Sequence, residues 1–91
     1  MAVRVVRNPA VDVAPMKNES VLFQSQTNQF CLLNVTATFI WNQLERPYTV
    51  SELAQTLCDH FEGVSSTEAI QDVEQTVSKL LSLNCLTSSE I

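Results

Sequence analysis

Residues 30–41 read Phe30-Cys31-Leu32-Leu33-Asn34-Val35-Thr36-Ala37-Thr38-Phe39-Ile40-Trp41. The first four are an apolar run of strand type. Ala37, Ile40, Trp41 and Leu44 then fall at i, i+3, i+4 and i+7, one stripe on a helix. A strand therefore runs into a helix with no loop between them. Asn34 or Thr36 can cap the helix start by accepting a free backbone N–H. Arg46-Pro47 ends it, because the residue before proline resists the helical region.

Upstream, Ser20 to Ser25 is a second strand centred on Val21-Leu22-Phe23. Gln26-Thr27-Asn28 is the turn back to the strand Gln29–Leu33, and asparagine tolerates the left-handed backbone such turns need. The spacing predicts a β-hairpin. Val11, Val13 and Pro15 alternate with Asp12 and Ala14, the pattern of a short edge strand. Pro9 and Pro15 limit its ladder, since proline donates no hydrogen bond.

Downstream, Thr49-Val50-Ser51-Glu52 has the spacing of a capping box, followed by the stripe Val50, Leu53, Ala54, Leu57 and Phe61. Gly63 follows, where a left-handed cap costs least. Ser65-Ser66-Thr67-Glu68 predicts a second box. The stripe after it is Ile70, Val73, Val77, Leu80 and Leu81. Asn84 is placed to cap that helix in the left-handed region, with Leu86 folding back under its last turn. The expectation is an α+β chain, a three-stranded antiparallel sheet followed by three helices. It forms one domain over residues 1–91, with strands over about 10–33 and helices over about 35–84.

The composition is that of a globular chain: 91 residues, 45% hydrophobic and 16% charged. No apolar run approaches the length of a bilayer span. Residues 1–7 are too short and too interrupted by arginine for a signal peptide, so the cytoplasm is the expected location. The net charge of −5 is uneven. Lys79 is the only cation after residue 47, against Glu52, Asp59, Glu62, Glu68, Asp72, Glu74 and Glu90. An acidic helical half repels nucleic acid and anionic membrane and would suit a partner with some basic character.

Chemistry is scarce. The chain has one histidine, His60, and one glycine, Gly63, which leaves no histidine pair and no phosphate loop. Cys31, Cys58 and Cys85 form no Cys-x-x-Cys pair and sit among apolar residues, so all three are expected to be buried small hydrophobes. Asn34-Val35-Thr36 is a glycosylation sequon without a secretory signal. Ser65 and Ser66 are read as caps, and Ser88 and Ser89 as tail. The expectation is no enzyme, no metal and no cofactor. Trp41 lies within the helical stripe and is read as a core anchor.

A small sheet has edges, and an edge offers unpaired N–H and C=O groups. If Gln29, Phe30, Cys31, Leu32 and Leu33 form such an edge, an extended peptide can add there, with alternate side chains entering pockets beside the sheet. The third helix would give the opposite wall through Thr76, Lys79, Leu80 and Leu83, with Asp72 at one end.

The segment Leu32–Trp41, with its Leu-Asn-x-Thr-small-x-x-Ile-Trp pattern, resembles the PqqD-like family. These are relatives of the pyrroloquinoline quinone biosynthesis protein D. They are also called precursor peptide recognition elements of ribosomally made, modified peptides (RiPPs). Thr49-Val50-Ser51-Glu52-Leu53, Phe61, Asp72-Val73 and Leu81–Leu86 extend the likeness, which runs from about Val11 to Leu86. Cys85 stands where the family has glycine, and Glu45-Arg46-Pro47-Tyr48 lacks the usual glycine. The resemblance implies a winged helix-turn-helix fold that binds the leader segment of a precursor peptide by strand addition. It implies delivery to a modifying enzyme or leader peptidase by a standalone adaptor, with the lasso-peptide branch favoured. The alternative is a winged-helix DNA-binding regulator or a general protein–protein adaptor. DNA would need more cations than Lys79 on the third helix.

Overall fold

The computed structural model describes residues 3–90. Its elements are β1 (Val3–Arg7), β2 (Val11–Met16), β3 (Glu19–Gln24), β4 (Gln29–Leu33), α1 (Val35–Gln43), α2 (Val50–His60), α3 (Ser66–Ser82) and β5 (Leu86–Glu90). β2, β3 and β4 form an antiparallel sheet in that order, and the helices follow it. This is the α+β, winged helix-turn-helix arrangement expected.

Two strands were not foreseen. β1 and β5 pair antiparallel as a second sheet, with Val5 opposite Ser88 and Arg7 opposite Leu86. Ser88 and Ser89, read as tail, belong to this ladder. On its other side β1 exchanges both backbone hydrogen bonds with Tyr48, at 2.8 and 3.0 Å. The glycine-free link between α1 and α2 is held in place this way.

Local signals are used as their chemistry requires. Asn34, rather than Thr36, caps α1 by accepting from the Ala37 N–H. Thr49 and Glu52 form the full capping box on α2. Asn28, Asn84 and Gly63 all have positive φ, at 58°, 60° and 79°. Asn84 thus takes the left-handed position in a chain that carries Cys85 next to it. The second box is only half formed. Ser65 accepts from the Glu68 N–H, but the Glu68 carboxylate takes the Ser65 hydroxyl instead of its backbone N–H.

The Thr49 backbone N–H holds the Glu52 carboxyl below its usual range, and the Arg4 guanidinium at 3.5 Å assists. A carboxyl whose folded pKa is lowered stabilises above its unfolded pKa and loses that contribution as pH falls through the folded value. The thermal midpoint of Glu52→Gln is therefore expected to fall less steeply than wild type as pH drops through the carboxylate range. Parallel slopes in thermal denaturation would refute this. Thr49→Ala is expected to cost about 1 kcal/mol by urea denaturation, the usual value of such a cap.

The core gathers Leu22, Leu33, Ile40, Trp41, Leu44, Leu53, Leu57, Val73, Leu80 and Leu86. The α3 stripe is turned relative to the sequence reading. Ala69 is buried, while Ile70 and Leu81 are exposed. Ala69 shares the buried stripe of α3 with Val73, Val77 and Leu80, at i, i+4, i+8 and i+11. Cys31 and Cys85 are buried, and burial pushes the Cys85 thiol up, with Cys31 adding to the shift. Cys58 is only half-buried, which corrects the expectation for that residue.

Candidate peptide-binding groove

β4 pairs with β3 on one side and with nothing on the other among the described residues. Its open edge faces α3 across a groove of about 280 Å³, lined by Leu32, Leu33, Asn34, Ala37, Gln75, Thr76, Lys79, Leu80 and, at the sheet end, Glu19. Leu33 and Leu80 are fully buried and give an apolar floor. Thr76 is half-buried on one wall, and Lys79 is exposed at the rim.

Part-buried polar contacts hold together the elements around this groove. The Ser20 and Thr38 hydroxyls lie 2.9 Å apart, and Thr38 Oγ1 donates to the Leu33 carbonyl at 3.3 Å. These bonds fix α1 to the sheet. The Asn84 carbonyl at the end of α3 accepts from Asn8 Nδ2 at 2.7 Å and from Gln24 Nε2. Gln24 is fully buried, so this amide pair is a satisfied interior contact rather than a surface one. Through it the C-terminal end of α3 is tied to the hairpin.

Of the ten residues expected at the site, Leu32, Leu33, Thr76, Lys79 and Leu80 come together in the groove. Cys31 points into the core beside Leu33. Gln29 and Phe30 lie further along the strand edge, and the Phe30 side chain lies on the face turned away from the helices. Asp72, one turn before Thr76, is exposed outside the groove lining. Leu83 caps α3 and packs against the core. Glu19, Asn34, Ala37 and Gln75 were missed. Gln75 had a signal, since it lies four residues before Lys79 and shares its helix face. Ala37 had one too, as the small member of the α1 stripe nearest the strand.

The polar groups lining the groove are amides, a hydroxyl, an ammonium and a carboxylate. No group of side chains suited to a metal ion occurs among the described residues. No helix among them is long and apolar enough to cross a membrane. What the site does offer is a free strand edge next to an apolar-floored channel, the geometry that accepts an extended peptide.

The sequence profile of the family described as Coenzyme PQQ synthesis protein D (PqqD) matches residues 19–86. No curated protein sequence matches the chain. Two solved structures share its fold. One is of TbiB1 in complex with the TbiA(beta) leader peptide, at 24% identity and TM-score 0.77, covering 89% of this chain and 93% of that one. The other is of a lasso peptide synthetase B1 complexed with the leader peptide, at 25% identity and TM-score 0.76, covering 91% and 96%.

Proposed function

The chain belongs to the PqqD family, and from that premise we propose that it binds the leader segment of a ribosomally made precursor peptide. The leader adds as a strand to the open edge of β4 and rests against α3. The observation that carries this reading is the free edge of β4 beside the groove floored by Leu33 and Leu80. β2, the opposite edge, is the poorer site, because Pro15 has no N–H to give an added strand there. Both solved relatives are complexes with leader peptides, which supports the same use of the fold here and favours a lasso-peptide pathway.

In this reading the protein is a non-catalytic adaptor, a single domain over residues 1–91 acting in the cytoplasm. It hands the peptide to a modifying enzyme or leader peptidase. Gln29, Phe30 and Cys31 contribute backbone to the added ladder. Leu32, Leu33, Thr76, Lys79 and Leu80 contact the peptide side chains. Duplex DNA is a poor partner, since α3 exposes Glu68, Asp72 and Glu74 around its single lysine.

Calorimetric titration with leader peptides of the small precursor genes encoded beside this one tests the proposal. Saturable binding at micromolar affinity or tighter is expected, about −8 kcal/mol or better. No binding to any of them would overturn it. A proline at position 31 is a poorer probe. Cys31 is buried and paired with Leu22 of β3, so that change disturbs the sheet as well as its edge.

A further inference from the structure

The face of the three-stranded sheet turned away from the helices carries no packed element among the described residues. Register sets Val21 beside Leu32 and Phe23 beside Phe30, and the two phenyl rings meet at 4.8 Å. Phe30 is 73% exposed and Leu32 61%, while every other exposed large hydrophobic lies between 36% and 46%. Single apolar side chains on a surface are ordinary, but an adjoining set on one sheet face marks a contact surface. The charged residues that share this face by strand alternation are both acidic. Asp12 lies opposite Phe23, and Glu19 lies two residues before Val21.

We infer that this face docks the enzyme that processes the bound peptide, through an apolar patch on that enzyme bordered by lysine or arginine. The inference rests on the peptide-binding reading and goes beyond it. Leu32 and Glu19 belong both to the lip of the groove and to this face, so the two surfaces share a border. A strand added to β4 takes the edge hydrogen bonds and leaves the face open. Alternate side chains of that strand project on the same side, so the partner meets peptide and protein together. An adaptor needs a second surface, and the exposed large hydrophobics described on α2 and α3 are Ile70 and Leu81, at 42% and 36%. A second copy is the poorer occupant, because Asp12 and Glu19 would meet their own like charges in a chain of net charge −5. The same acidic border disfavours an anionic lipid surface.

The test uses the full chain, a synthetic leader peptide and the purified processing enzyme encoded beside it. The double variant Val21→Thr with Phe23→Ser lies on the middle strand, away from the β4 edge. Its affinity for the leader is expected to stay within twofold, while enzyme affinity in the presence of leader falls at least tenfold by calorimetry. Asp12→Lys, on an exposed edge strand, keeps the test alive should the double variant fold poorly. It is expected to weaken enzyme binding at least threefold. Unchanged enzyme affinity in both variants overturns the inference while leaving peptide binding intact. So does a wild-type dimer in sedimentation that the double variant converts to monomer, because the occupant is then a second copy. If the wild-type chain binds no leader, the functional reading fails and this inference fails with it.

Discussion

Replacing Trp41 with alanine is expected to lower folding stability by about 3–5 kcal/mol, the usual cost of emptying a buried aromatic site. That is a large share of the roughly 5–15 kcal/mol by which a domain is stable. Trp41 is 1% exposed and is the largest fully buried side chain. α1 has only nine residues, too few to be helical on its own, so its tertiary anchors hold it. Trp41, Ile40 and Leu44 are those anchors. The Arg7 guanidinium also sits 4.9 Å above the indole, and its Nε donates to the Trp41 carbonyl at 3.0 Å. Loss of the ring therefore loosens β1 as well as α1. Trp41→Phe separates area from hydrogen bonding. The indole Nε1 has no partner among the described residues, so phenylalanine forfeits no bond there. It is expected to cost under about 2 kcal/mol. Urea denaturation measures both variants. An alanine variant within about 1 kcal/mol of wild type would show that Trp41 is not the anchor.

Thr76→Trp is expected to weaken leader binding about 100-fold, or about 2.8 kcal/mol at 1.4 kcal/mol per decade. Thr76 faces the β4 edge across the groove, and an indole there would take up much of its 280 Å³. The added bulk stands where the peptide must pass between sheet and helix. Thr76 is half-buried on the outer wall and not in the core, and threonine and tryptophan have similar helix propensity, so stability should change by under about 1 kcal/mol. Ser78→Trp is the control. It lies on another side of α3, outside the groove lining, and its leader affinity should match wild type. Equal affinity for Thr76→Trp and wild type would move the peptide away from this groove.

These two effects come from features of different legibility. Trp41 could be assigned from the chain alone, because helical periodicity put it on one stripe with Ile40 and Leu44. The caps at Thr49 and the left-handed positions at Asn28, Gly63 and Asn84 were legible for the same reason. Their hydrogen bonds close within a few residues, so nearby sequence specifies them. Groove residues were only partly legible. Thr76, Lys79 and Leu80 share a helix face, and Leu32 and Leu33 end a strand. Glu19 and Asn34 come into the lining only through the way sheet and helix meet.

The hairpin and the three helices are written in the local pattern of the chain. Each depends on periodicity or capping, and each acts over short distances along the chain. The assembled fold sets which strand is the open edge, since an edge is defined by what fails to pair with it. It also decided that Val3–Arg7 and Leu86–Glu90 close into a second sheet, a pairing between opposite ends of the chain with no local mark beyond β-forming residues. The buried Asn8 and Gln24 amides that tie α3 to the hairpin belong to the same class. A polar side chain reads as exposed until its partner, here the Asn84 carbonyl at the far end of the chain, is brought to it by the fold.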